Sequence, residues 1–523
     1  MSEIARKTEI GPLIGGDVRH RDEKAEARNT RNIEVRTRRI RLPLGWWIGL
    51  VCCLMGLIVT GSLVSPGGRG ETPLVTICLA LLIIAIAAWT ARIRFNTWGA
   101  GDPLFLFAIF FALYNGSVLS EMGFAAIHEL PAVFIYNAVQ FRDFFNAGSC
   151  SALAATGMLI SAIILDRSER GRISNNLSGS VCSRGMASRL FWIGASTLII
   201  TILLAVVLVL ITVGAREFLS SSRAGSYANP GRINPSLVLG IALPIIPFTI
   251  AGLGCMSLGV CLFPTRWKTK LFAALVVFFT LFNFIQGERH LVAYMVIIAA
   301  GAYATRFTLT RQRKRKIIFI AICTYLIFVV ISGIRTILPD LFNKNATTND
   351  LYRSFLSFSG SWMLPSNNEF VGPYFTLVDT LQNRTEPKLG KTYASAILYI
   401  LPTKLYPGIK PESLGEEFAI MMSERISNPI VLGFGFSPVA EAILNFGWEG
   451  IMIIFAMLAA GMHWLGRLRQ RGLVGLLIYL AILPQVINAN RYSMDGVMQE
   501  SAFSLMAMGI LWMIARANRR YRA

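Results

Sequence analysis

Hydrophobic and polar positions alternate along this chain in long blocks. A polar segment at residues 1–43 is followed by apolar runs that recur almost to the C-terminus. A helix needs about 20 mainly apolar residues to cross the roughly 30 Å of hydrocarbon in a bilayer. The pattern therefore predicts an all-α integral membrane protein with about twelve transmembrane helices. The predicted spans are 44–64, 73–91, 103–119, 147–165, 190–213, 236–264, 271–286, 291–305, 317–334, 437–465, 473–489 and 496–515.

One long interruption divides the spans into two groups. Residues 44–334 hold the first nine predicted helices, and residues 437–515 hold the last three. The loop between them, 335–436, has no apolar run of spanning length but contains amphipathic stretches, which predict short helices. Basic tails at 1–43 and 516–523 flank the predicted transmembrane region. We expect the first tail to be disordered because it is polar and highly charged.

Charge gives the orientation. The chain carries 50 Lys and Arg, of which 34 fall in the tails and in the connections on one side of the predicted helices. The positive-inside rule assigns that side to the cytoplasm, which places both termini in the cytoplasm and residues 335–436 outside. The net charge of +21 accompanies 54% hydrophobic residues, and this combination disfavours a nucleic-acid partner and favours a lipid bilayer.

Arginines on the outer side are candidates for binding a phosphate. Arg289 and Arg491 each lie in a tight connection between two predicted spans, and Arg335 begins the large loop. One interpretation is that they mark the membrane interface, where arginine side chains reach the headgroups. The other is that their guanidinium groups bind a phosphate or diphosphate.

Two further residues have alternative interpretations. Glu441 follows a glycine-rich turn and begins a predicted span, so it either balances the helix dipole or faces the outside as a general base. His290 is either an interface histidine or a proton shuttle next to Arg289. The four histidines and eight cysteines lack the spacing of a zinc site. We therefore predict no metal and no cofactor.

Two motifs and one short turn carry a resemblance to a known family. They are GFGFSPVAEAILNFGWEG at 433–450, LPTKLYPGIKPESLGEEFA at 401–419, and Gly287-Glu288-Arg289. Together with the large outer loop late in the chain, they resemble the Wzy-type O-antigen polymerases. The resemblance in layout covers roughly residues 44–515.

The resemblance implies a membrane-embedded, GT-C-like glycosyltransferase of the bacterial inner membrane, with a periplasmic large loop and no metal. Such an enzyme joins oligosaccharide repeat units carried on undecaprenyl diphosphate, and it works with a flippase and a chain-length regulator. Arg289 and Arg491 would then neutralise the departing diphosphate, and Glu441 would activate the acceptor hydroxyl. The residues assigned to substrate binding are Arg335, His290, Arg353 and Tyr492.

Two other functions fit the layout. An O-antigen ligase would use a histidine in the large loop, and residues 335–436 contain none. A transporter of polysaccharide or lipid-linked sugar would be expected to carry charges in the middle of its spans and to show repeated halves. The predicted spans are almost free of charge at mid-depth, so the sequence favours the polymerase.

Overall fold

A computed structural model describes residues 71–99, 101–127, 141–169, 183–212, 235–286, 289–306, 371–383, 387–401, 413–426 and 435–517. These residues are helical except for short connections, and no strand occurs among them. The α-helices are α1 Glu71–Trp98, α2 Pro103–Phe111, α3 Val118–Ile127, α4 Phe141–Glu169, α5 Arg184–Thr212, α6 Pro235–Leu262, α7 Arg266–Gln286, α8 Arg289–Arg306, α9 Val371–Gln382, α10 Lys391–Tyr399, α11 Leu414–Ile426, α12 Pro438–Leu468, α13 Gly472–Ile482, α14 Gln485–Asn488 and α15 Met494–Ala517. A π-helical turn, Ala112–Ser117, joins α2 to α3.

Within the described ranges, seven helical segments are long and apolar enough to cross a membrane. They are Leu74–Trp98, Pro103–Gly123, Phe144–Ser168, Arg184–Val207, Ile245–Leu262, Pro438–Leu468 and Met494–Ala517. Each corresponds to a predicted span, so a multi-pass helical membrane protein is confirmed. The predicted spans 44–64 and 317–334 lie outside the described residues, and the total of twelve stays a prediction.

The helices pack through small residues and aromatic rings. Helix α4 contacts both α1 and α12, and α5 lies along α6. At Gly157 of α4, an added Cβ would collide with the carbonyl oxygen of Met452, so glycine lets α4 and α12 approach closely. Phe107 and Phe111 of α2 pack against Phe455 of α12 with ring centroids 6.3 and 5.5 Å apart. The core thus lies where α1, α2, α4 and α12 meet.

The predicted span 473–489 is broken in the structure. Helix α13 ends at Ile482, Leu483 and Pro484 form a turn, and α14 occupies only Gln485–Asn488. Proline lacks the backbone N–H that a continuous helix would use at this position. The break turns polar side chains of 485–493 into the protein, where Gln485, Asn488 and Asn490 are buried.

Three short helices, α9 to α11, are described within the large loop, as the amphipathic pattern predicted. Helix α9 packs on α4 and α12, and its Tyr374 is 1% exposed and donates a hydrogen bond to the Phe144 carbonyl over 3.2 Å. Helix α10 packs on α15 and α12. These contacts bring the loop onto the end of the bundle where α12 begins.

Candidate active site around Glu441

Helix α12 begins at a side-chain cap that places Glu441 in the first turn. Ser437 precedes the helix, and its hydroxyl accepts the Val439 N–H over 3.2 Å, while Pro438 occupies the first helical position. Both features are typical of helix N-termini. Glu441 is 2% exposed, so this first turn directs a carboxylate into the protein instead of into solvent.

Both carboxylate oxygens of Glu441 accept a hydrogen bond. The Thr392 hydroxyl of α10 donates to Oε1 over 2.9 Å, and the backbone N–H of Met494 donates to Oε2 over 2.8 Å. The donors come from segments on either side of α12 in the sequence. An ionised carboxylate has about four acceptor positions, and these two donors occupy two of them.

Thr392 is itself held by Asn445, one helical turn beyond Glu441. Asn445 is 0% exposed, and its Nδ2 donates to the Thr392 hydroxyl over 2.6 Å and to the Glu441 carbonyl over 2.8 Å. Its Oδ1 accepts the Thr392 N–H over 3.2 Å. The three side chains therefore form one fully buried network, which we call the Glu441 network.

The turn before α12 is fixed by glycine and by the segment that carries Arg491. Gly435 has φ of 74°, a left-handed conformation that glycine adopts without strain. An added Cβ there would also collide with the Arg491 carbonyl, which accepts the Phe436 N–H over 2.7 Å. On the other side, the Thr376 hydroxyl accepts the Ser437 N–H over 2.9 Å. The entry to α12 is thus held by both the large loop and the 489–493 turn.

Arg491 lies in the connection that also supplies the Met494 N–H. Its Nη2 donates to the Tyr492 hydroxyl over 2.6 Å, and its Cζ lies 4.6 Å from the centre of the Tyr492 ring. The Glu500 carboxylate is near enough to interact electrostatically with the guanidinium group. The structure therefore brings Arg491 and Tyr492 to the same end of the bundle as Glu441.

The other predicted site residues are not described at the side-chain level. Arg289 and His290 begin α8, three residues after α7 ends, which agrees with the predicted tight hairpin, but their side chains are outside the described set. Arg335 and Arg353 lie outside the described residues altogether. Their roles stay predictions.

Two residues of the site, Thr392 and Asn445, were not predicted, and they complete the network. Asp495, 5% exposed, is a second carboxylate near Glu441. Tyr393 stacks on Phe446 with ring centroids 6.1 Å apart, and burial, with a smaller contribution from Glu441, raises the pKa of its phenol. Asn445 could have been found from its spacing of four residues from Glu441, which places both on one helix face. No nearby sequence pattern points to Thr392 as a site residue.

Among the described residues, no three His, Cys, Asp or Glu side chains lie close enough together to hold a metal ion. The described network offers one buried carboxylate with two neutral donors, and an arginine in the adjoining turn. This arrangement suits the activation of a hydroxyl next to an anionic group, which is the chemistry of glycosyl transfer from a phosphate.

The fold defines the class, a multi-pass helical membrane protein, and the network adds a buried carboxylate at one end of it. The family described as O-antigen polysaccharide polymerase Wzy matches residues 50–520, which include every described helix, and the chain belongs to that family. No curated protein and no solved structure matches the chain. Family membership supports polysaccharide polymerisation and favours it over the ligase and the transporter.

Proposed function

We propose that this protein joins oligosaccharide repeat units carried on undecaprenyl diphosphate into a surface polysaccharide at the periplasmic face of the bacterial inner membrane. The growing chain is the donor, and a hydroxyl of the next lipid-linked unit is the acceptor. The single observation that carries the proposal is the Glu441 network, a buried carboxylate held by two chain segments next to the Arg491 turn.

In the proposed reaction, one bond forms, one bond breaks, and residues of this chain receive the proton and stabilise the leaving group. The acceptor oxygen forms a bond to the anomeric carbon, and the bond from that carbon to the phosphate oxygen breaks. Glu441 takes the proton of the hydroxyl, and the electron pair leaves with undecaprenyl diphosphate. Arg289 and Arg491, supported by Arg335, stabilise the charge that develops on the leaving group. Arg353, His290 and Tyr492 bind the substrate.

We infer a metal-independent mechanism, because the arginines supply the positive charge and Glu441 supplies the base that a metal would otherwise provide. If the mechanism is metal-independent, activity should persist in the presence of a chelator that removes divalent cations. Since Glu441 is 2% exposed, an acceptor reaches it only when the surrounding chain opens.

The proposed architecture has twelve spans, from the hydropathy pattern, in a GT-C-like fold, which the family resemblance implies. The distribution of Lys and Arg gives its orientation, with both termini cytoplasmic and the large loop periplasmic. Reporter fusions at residues 310 and 380 test it, since the first should report the cytoplasm and the second the periplasm. A flippase that delivers the lipid-linked units and a chain-length regulator are the partners that this arrangement needs.

The decisive experiment replaces Glu441 by Gln, which keeps the shape and removes the base. In cells that lack the wild-type protein, E441Q should leave single repeat units on the lipid acceptor, while protein levels stay normal. Loss of a general base typically costs about 10²–10⁴ in rate. Glu449→Gln, an exposed position on the same helix, is the matched control and should give long chains. Long chains from E441Q would overturn the assignment of Glu441 as the base.

A further inference from the structure

Glu500 is a carboxylate within a membrane-spanning helix, and the proposed reaction does not use it. It lies on α15, six residues after that helix begins at Met494, which places it about 9 Å along the helix axis. The described span Met494–Ala517 includes it. Ionisable residues inside membrane helices are costly to bury, and they usually face the protein interior, pair with another group and mark a functional site. The partners of Glu500 therefore indicate what it does.

The first partner of Glu500 is Asn488, which ends α14. The Nδ2 atom of Asn488 donates to Oε2 of Glu500 over 2.6 Å and to Oε1 of Gln485 over 2.7 Å. Asn488 and Gln485 are both buried, so these bonds form inside the protein. A hydrogen bond to an ionised carboxylate is stronger than one between neutral groups. Glu500 therefore fixes the side chain of Asn488.

Asn488 also holds the backbone of the turn that carries Arg491. Its carbonyl oxygen accepts the Arg491 N–H over 2.9 Å and the Tyr492 N–H over 2.8 Å. The side chain of Asn488 thus binds Glu500, while its backbone binds the two residues of the turn. One residue therefore connects the Glu500 carboxylate to the backbone of Arg491.

The second partner of Glu500 is the guanidinium group of Arg491, which its negative charge attracts. That guanidinium group also donates from Nη2 to the Tyr492 hydroxyl over 2.6 Å. A free arginine side chain has many rotamers, and ordering it costs conformational entropy. The attraction to Glu500 and the bond to Tyr492 restrict the side chain before any substrate binds.

Helix α8 contributes a further side chain to this group. Tyr294 is buried, and its hydroxyl interacts with Asn488, Arg491 and Glu500. Helix α8 begins at Arg289, five residues before Tyr294. Tyr294 thus brings the helix that begins with Arg289 next to the Arg491 turn. Residues from α8, α14 and α15 therefore surround the Glu500 carboxylate.

We propose that Glu500 is a positioning residue, which holds the Arg491 guanidinium group in the orientation that meets the departing diphosphate. The inference rests on the proposed function, in which Arg491 acts on the leaving group. Donors that are oriented before charge develops stabilise a transition state without reorganising, and a displacement of about 1 Å can cost about 10²-fold in rate. Glu500 acts through Arg491 and does not bind the diphosphate, whose charge has the same sign as its own.

The test is a double-mutant cycle on the full-length protein in nanodiscs, with lipid-linked repeat units as substrate and turnover measured per folded protein. Glu500→Gln removes the charge, while its amide oxygen can still accept the bond from Asn488. Its kcat should fall about tenfold or more with little change in KM, because the lost interaction acts in the transition state. Glu449→Gln, which removes an exposed carboxylate from α12, is the matched control and should keep wild-type turnover.

Arg491→Ala forms the other side of the cycle, because it removes the group that Glu500 positions. In the R491A background, E500Q should lower the remaining turnover by less than about twofold, since the two residues act as one unit. If Glu500 served the fold alone, E500Q would lower turnover by the same factor in both backgrounds, because the effects of independent sites add in free energy.

The outcomes separate this inference from the proposed function. If R491A loses activity but E500Q keeps wild-type turnover, or if E500Q costs the same factor in both backgrounds, the positioning role is overturned and the proposed function stands. Wild-type turnover from R491A overturns the role of Arg491 and the positioning role with it. If E500Q does not accumulate in the membrane, Glu500→Asp, which keeps the charge but withdraws it by one methylene, takes its place in the same cycle and is judged by the same outcomes.

Discussion

The Glu441 network and the buried ion pair between Arg94 and Asp102 both place a carboxylate at a helix N-terminus, but the two carboxylates have different partners. Glu441 receives a hydroxyl and a backbone N–H, both neutral, whereas Asp102 receives the two nitrogens of a guanidinium group. Both helices start in the same way, with a capping residue followed by proline as the first helical residue: Ser437-Pro438 for α12 and Asp102-Pro103 for α2.

This difference agrees with the proposed role of Glu441 as a base and with a structural role for Asp102. Charge-assisted pairs are roughly twice as strong as neutral hydrogen bonds, so a carboxylate paired with arginine gives up little by staying ionised. A carboxylate held by neutral donors keeps its position and can still accept a proton. The comparison therefore predicts that changes at the Glu441 network reduce activity and that changes at the Arg94–Asp102 ion pair reduce the amount of folded protein.

The largest loss of stability is expected from Asp102→Ala. It leaves Arg94 buried without its partner, and breaking a buried ion pair from one side costs about 3–5 kcal/mol. The amount of protein in the membrane and its unfolding temperature should both fall. Replacing both partners with apolar residues, Arg94→Met with Asp102→Leu, should recover most of the loss, and a double variant as unstable as D102A would contradict this account.

The next largest effect is expected from Arg491→Ala, and it should fall on activity instead of stability. Loss of one donor to a developing negative charge costs about 2.7–4 kcal/mol, or about 10²–10³ in rate. Arg491→Ala should abolish long chains at a normal protein level. Arg491→Lys should rescue poorly, because lysine offers a point charge without the planar pair of donors. Wild-type chain lengths from R491K on a gel of surface glycan would leave Arg491 as an interface residue only.

Thr392 should show a smaller effect on activity. Thr392→Val keeps the shape of the side chain but removes the donor to Glu441, and a hydrogen bond to a charged group contributes about 1.5–3 kcal/mol. We expect turnover to fall about tenfold or more, with Thr392→Ser restoring it because the hydroxyl is retained. If T392S were as poor as T392V, packing and not the hydrogen bond would be the cause.

The smallest effect is expected at Lys388, which forms an ion pair with Glu417 over 3.8 Å. Both side chains are substantially exposed, 33% and 58%, and exposed pairs contribute about 0–1 kcal/mol. Lys388→Gln should leave unfolding temperature and chain length close to wild type. A loss comparable to that of D102A would show that burial does not distinguish the two ion pairs.

Much of the fold could be predicted from the sequence because hydrophobic length is a local property. The apolar runs at 73–91 and 147–165 became α1 and α4, and the amphipathic segment after residue 371 became α9. The position of Glu441 at a helix start was also predictable, since it follows a glycine-rich turn and Ser437-Pro438. The break at Pro484 was missed because hydropathy over a window averages out a single proline.

The partners of the site were decided only by the tertiary structure. Glu441 and Thr392 are 49 residues apart in sequence, and Arg469 and Trp98 are 371 apart. The sequence by itself determined which segments are helices, which ends carry charge and which carboxylate begins α12. Which donor faces that carboxylate, neutral or charged, depends on how distant helices pack, because a hydrogen bond forms only when packing brings its two atoms within about 3 Å.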